Sequence, residues 1–288
     1  MKPLLPILGW CVFAFAPVAS AQLSLELKLD QDQFLPGESI EVGVRITNFS
    51  GQTLHVGKDN DWLQFTIEGQ ENYIVPPTGE VPAQGEFEVE SSSVATRRLN
   101  VAPFFALTRP GRYLMTATVK LKQWDKELVS KPKAFHIIAG TKLWEQDFGI
   151  PNAAGQPPEV RKYALQQAIH LKQMKLYARV TDLSESRVFR VFPIGPMISF
   201  SKPECQIDKS SNWHVLYQNG ARSFNYSVIN SDGLLLVRQT YEYTETRPVL
   251  RVDREGRIFI GGGARRLSPD DLPPPADTST HDVRTPKP

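Results

Sequence analysis

The sequence predicts a mainly β protein in two parts. One is an N-terminal sandwich over residues 22–139; the other is a C-terminal β-rich domain over 159–266 that carries one packed helix. Three observations predict this. Apolar and polar residues alternate at period two through most of the chain. Pro, Gly, Asn and Ser signals interrupt the alternation every ten residues or so, and a single stretch carries a helical stripe.

Taken in order, residues 1–21 read as a cleaved secretory signal. Lys2 supplies the positive start, Leu4 to Pro17 the apolar core, and Ala19-Ser20-Ala21 the small-x-small cut site, so that Gln22 begins the mature chain. The apolar core is shorter than the roughly 20 residues of a membrane span. A secreted or periplasmic location is expected, with no membrane span after cleavage. Cys11 follows Trp10, where a lipidated cysteine needs a small residue, so no lipid anchor is expected. Cys205 is then alone. It reads as a half-buried free thiol, with pairing between chains left open.

The sandwich strands announce themselves by alternation. Leu23, Leu25, Leu27 and Leu29 share one face; Ile40, Val42, Val44 and Ile46 follow after the Pro36-Gly37 turn. Leu63, Phe65 and Ile67 repeat the pattern, and Tyr113, Met115, Ala117, Val119 and Leu121 do so after Pro110-Gly111. The opening run from Phe34 to Asn48 and the closing runs Pro110–Val119 and Phe135–Ile137 resemble the first and last strands of immunoglobulin-like sandwich modules of secreted bacterial proteins. The resemblance covers roughly the first domain and implies a fold rather than an activity. The same domain is also somewhat similar to the small sandwich family of proteinase inhibitors, which would imply an inhibitory loop.

Loops are where such a sandwich would bind. Asp59, Asn60, Asp61 and Trp62 combine oxygen donors with an aromatic ring, and Tyr73 opens the exposed segment to Glu80. A calcium ion takes about six or more oxygens, so no metal is expected at the acidic loop. Trp62, Trp124 and Trp213 are candidates for stacking on sugar.

A proline-rich connector is expected over 140–158, with Leu143, Trp144 and Phe148 docked on one domain. Pro158-Glu159 then suits a helix start. Val160, Ala164, Ala168 and Leu171, widened by Leu165 and Ile169, form the stripe of a helix running to about Lys172. Beyond it lies an internal repeat: Pro203-x-x-x-Ile207-Asp208 and Pro248-x-x-x-Val252-Asp253 each lead through a tight turn into another strand. Val180 to Phe192 is a third, degenerate copy. The spacing of the two clear copies resembles that of β-propeller blades, usually about 40–50 residues. From Leu267 the proline-rich chain reads as a solvated tail.

Chemistry is harder to find. Histidines 55, 136, 170, 214 and 281 have no His or Cys at short metal-ligand spacing, and the sequence lacks phosphate-loop, dinucleotide and nucleophile-elbow patterns. No catalytic residue and no cofactor is therefore assigned. With 33 basic against 31 acidic residues, composition supplies no drive toward nucleic acid. The expected function is an exported non-enzymatic protein that binds an extracellular or envelope protein or glycan. A protease inhibitor carried by the sandwich and a polysaccharide-acting hydrolase are the alternatives.

Overall fold

The computed structural model describes residues 23–59, 61–150 and 157–273. The expected signal peptide, Asn60 and the tail from 274 onward lie outside them. The regular secondary structure of the described residues is all strand apart from three single-turn 3-10 segments.

The first ten strands are β1 (Leu23–Leu29), β2 (Gln33–Phe34), β3 (Glu41–Asn48), β4 (Leu54–Val56), β5 (Leu63–Glu68), β6 (Phe87–Val89), β7 (Ser93–Asn100), β8 (Gly111–Leu121), β9 (Lys126–Val129) and β10 (Lys133–Ile137). β1-β3-β7 form one sheet and β2-β10-β8-β5, with β9 on β8, another; β4 and β6 pair separately. The register sets Leu25 beside Ile46 and Leu27 beside Val44, so the alternating leucines and valines fall on one face. They meet Tyr113, Met115, Ala117 and Val119 of β8 in a single core shared by both sheets. This is the sandwich the alternation predicts. Each fully buried aliphatic side chain contributes roughly 1.5–3 kcal/mol of transfer free energy.

The second half adds layers. β11 (Thr141–Ile150), β12 (Glu159–His170), β13 (Gln173–Asp182) and β14 (Val188–Pro196) form an antiparallel meander. β15 (Glu204–Ile207), β16 (Trp213–Gln218), β17 (Ser223–Ile229) and β18 (Leu235–Glu242) form the next. β19 (Val249–Val252) pairs with β20 (Ile258–Gly261), and β21 (Ala264–Arg266) returns to the edge of β18. Apolar clusters lie between successive layers. Leu35 and Ile138 of the sandwich meet Ala168, Tyr177 and Val191. Tyr163, Leu165 and Val180 meet Trp213, Val215 and Ile229. Leu216, Tyr226 and Val228 meet Leu250, Ile258 and Ile260.

Three expectations need correction. The segment from Glu159 is not a helix: it is the twelve-residue strand β12, paired on both sides by β11 and β13. The first part of the expected connector is β11, an edge strand of the same sheet, with Phe148 buried and Trp144 half-buried. The start of the expected tail is held as well. Leu272 bridges to Arg238, and the buried carboxylate of Asp271 accepts from Arg265 at 2.8 Å.

The internal repeat is a repeat of hairpins. Asp208 Oδ1 accepts the amides of Ser210 and Asn212, both at 2.8 Å. Asp253 Oδ1 accepts those of Glu255 at 3.1 Å and Arg257 at 2.7 Å. The left-handed residue each turn needs is Ser211 in one and Gly256 in the other. The degenerate copy is a hairpin too, but one residue longer, with Asp182 Oδ1 accepting from Arg187. Asn230, before Leu234, makes a fourth turn of the same pattern.

Candidate binding cleft

Each sequence-selected residue except Asn60, which lies outside the described residues, has a definite place. Trp62 is buried; its ring NH donates to the carbonyl of Ala83 at 2.7 Å and its ring packs edge-on with that of Phe87. Trp213 is fully buried between Trp144 and Tyr163, at centroid distances of 5.3 and 5.0 Å. Neither presents a face to a ligand, and Trp124 packs partly against the sandwich core. Asp59 and Asp61 turn toward lysines: Lys122 Nζ lies 3.0 Å from Asp59 and 3.4 Å from Asp61, and Lys120 Nζ lies 3.3 Å from Asp61. Hydrogen bonding from Lys120, then the charge of Lys122, lowers the pKa of Asp61. These carboxylates are spent on ion pairs. Among the described residues no cluster of three or more His, Cys, Asp or Glu could hold a metal ion.

Tyr73 is different. It is 60% exposed, at the rim of a cleft of about 650 Å3 at one end of the sandwich. The β5–β8 register, which places Glu68 beside Leu114, builds this cleft by bringing the turn after β5 against the turn before β8. Gly69 NH donates to Tyr73 O at 2.8 Å and Tyr73 NH to Gln70 O at 3.1 Å, closing the first turn. Glu71 and Asn72 take left-handed φ values of 57° and 58° within it. The second turn is held by Tyr113, whose hydroxyl donates to Arg109 O at 2.8 Å. Tyr113 stacks on Phe135 at 5.5 Å, and burial raises its pKa.

Between these turns stand Arg109, Arg112, Gln70 and Glu71. Both arginines are exposed, and neither guanidinium makes a hydrogen bond or ion pair among the described residues. In the sequence Pro110-Gly111 marks only a turn. Nothing local links the flanking arginines to Tyr73; only the strand pairing does.

Two other constellations contrast with this cleft. A cavity of about 630 Å3 lies between the sandwich and the first meander, lined in part by Glu38 and Arg179. Glu38 accepts from Leu35 NH at 2.8 Å and Gln31 Nε2 at 2.9 Å, while Arg179 donates to Pro36 O at 2.9 Å. Gly37 passes so near Val188 that a Cβ would sit 3.0 Å from it. These groups join the two halves. Deeper in the stack, His214 lies 3.2 Å from Asp208 Oδ2 and 2.6 Å from the hydroxyl of Tyr226. Burial pushes Tyr226 up to about 12. The relay is enclosed and ties a turn to a layer interface. Cys205, half-buried, has a thiol that burial pushes up to about 12, far from a reactive thiolate.

No protein-family model matches the chain, and no curated protein is significantly similar to it.

Proposed function

We propose that this chain is an exported, non-enzymatic binding protein that recognises a protein or a surface glycan through the end of its sandwich. The reading joins the secretory signal to one observation: the cleft at Tyr73, where two guanidinium groups without internal partners flank an exposed ring. Unpaired cationic heads beside an exposed aromatic suit recognition better than they suit packing. The immunoglobulin-like resemblance of residues 22–139 and the blade-like hairpins of 159–266 fit the same proposal, with the later layers acting as a support. Mature full-length protein, immobilised, should retain a partner from its own extracellular or envelope fraction, and an Arg109→Gln/Arg112→Gln variant should retain much less. Equal recovery by the two proteins would remove the cleft from the proposal.

A second reading has its own observation. The segment from Tyr73 to Gln84 is anchored by buried Val75 and Ala83, and Thr78 NH donates to Phe104 O at 2.9 Å. A pinned, exposed loop is what a protease inhibitor presents. Full-length protein that is cleaved there by each member of a protease panel, without slowing any of them, would dispose of it.

A further inference from the structure

The polar row at the cleft continues across the sandwich. Tyr113 and Phe135 point into the core, so their neighbours Arg112 and His136 lie on the other face of the sheet, Arg112 exposed and His136 half-buried with its Nδ1 covered, and the two stand side by side in the β8–β10 register. His136 in turn stands beside Gln33 of β2. The side chain of Gln33 accepts the amide of Leu171, at the tip of the β12–β13 hairpin, at 3.2 Å. That contact brings exposed Lys172 to the far end of the row. Leu171 and Lys172 hold left-handed φ values of 47° and 66°, costly for residues with a Cβ and kept only where surroundings impose them. A strip thus runs from Tyr73 through Arg109, Arg112 and His136 to the hairpin tip at Leu171-Lys172, with the carboxylate of Glu71 in the cleft at its start.

The backbone along this strip narrows the choice of ligand. The end of β5 is already paired, with Glu68 bridging Ile74 and Val75 NH donating to Ile67 O at 2.8 Å. An extended peptide entering the cleft therefore finds no free strand edge to pair with. Recognition falls to a ring face, planar guanidinium groups and side-chain amides. A pyranose offers C–H faces to the ring and hydroxyls to Gln70 and Glu71, and an acidic substituent offers the arginines a planar or tetrahedral anion.

We propose that the strip binds an acidic polysaccharide, its sugar ring against Tyr73 and its carboxylate or sulfate on Arg109 and Arg112. This deepens the binding reading above and rests on it. The test is calorimetric titration of the mature full-length protein with an oligogalacturonate, a sulfated dextran oligosaccharide, neutral cellohexaose and poly-glutamate. Binding of at least one acidic oligosaccharide, weakened by added salt, is expected; which one binds separates carboxylate from sulfate.

Arg112→Gln and Tyr73→Ala should each weaken that binding about tenfold or more, the effect of losing a charge-assisted or stacking contact. Arg254→Gln, which removes an exposed charge from the β19–β20 turn, should leave it unchanged. Equal binding of cellohexaose, equal weakening by Arg254→Gln, or binding of poly-glutamate alone would each overturn the proposal. So would binding of none of the four. Retention of an envelope partner in the pull-down would in that event leave the broader binding reading standing.

Discussion

Between Leu25 and Ile137 one core joins two sheets, and most of its members come from the strands, with loop residues such as Ile40, Trp62, Val101 and Phe105 completing it. Between Phe148 and Leu250 the apolar residues divide among smaller clusters, each shared by two successive layers. The difference lies in how many faces of a sheet are covered. A sandwich sheet buries one face, so every second residue is apolar. A sheet inside a stack buries both, and its strands lose the alternation. The layered half compensates with aromatic rings. Phe148, Tyr163, Trp213 and Trp144 form a continuous stack whose successive centroids lie 4.0, 5.0 and 5.3 Å apart.

The largest effect expected from breaking this contrast is at Trp213. Truncation to Ala removes one of the two inner rings of the stack at a fully buried position, and a loss of about 3–5 kcal/mol is expected. Because the clusters are separate, the damage should stay local. Native-state hydrogen exchange of Trp213→Ala should show lost protection in β12, β13 and β16, with β3 and β8 of the sandwich nearly unchanged. Uniform loss across both halves would mean that the stack and the sandwich unfold as one unit.

The same contrast explains what could be read from the sequence. The sandwich strands were legible because Leu25, Val42, Val44 and Met115 fall on a strict period of two. β12 was not. Tyr163, Ala164 and Leu165 are buried in succession, Tyr163 and Leu165 toward one neighbouring layer and Ala168 toward the other. Apolar residues at 160, 164, 165, 168 and 169 then mimic a helical stripe, in a segment rich in the helix formers Ala, Leu, Gln and Lys. The turn that would have corrected this carries Leu171-Lys172 where a two-residue hairpin prefers Asn or Gly. The Asp hairpins were legible because the turn chemistry is local. The cleft was only half legible: Tyr73 stood out, but its arginines arrive from a turn nearly forty positions later.

The Asp turns sharpen the comparison at intermediate size. Asp208 carries two backbone amides, the side chain of Asn212 and a ring nitrogen of buried His214. Asp253 carries two amides and the exposed side chain of Arg257. Asp208→Ala leaves His214 without its carboxylate in a buried site and should cost about 1–3 kcal/mol; Asp253→Ala should cost clearly less. Urea denaturation of the two variants checks the order. Burial opposes ionisation of Asp208, yet bonds from Asn212, His214 and Ser210 outweigh it and lower its pKa. Its contribution is thus present above the ordinary carboxylate range and is lost as pH falls through its folded value. Equal losses for the two variants would mean that the layer interface at His214 adds nothing to the turn.

The smallest effect sits where the two regions join, and there the sign reverses. Glu38 is 4% exposed. Burial raises its pKa against the opposing effects of the Leu35 amide, Gln31 and the charge of Lys175. Between the unfolded and the folded value, the unfolded chain is ionised and the folded chain is not. Rising pH in that window therefore favours unfolding. Glu38→Gln keeps an oxygen for the Leu35 amide and removes the ionisation. Its melting temperature should fall less than that of the parent as pH is raised from the ordinary glutamate range toward neutrality, with the two proteins closest at the acid end. Parallel profiles would show that the joint holds the Glu38 carboxylate as readily as water does. The boundary between the sandwich and the stack would then be a solvated contact rather than a buried one.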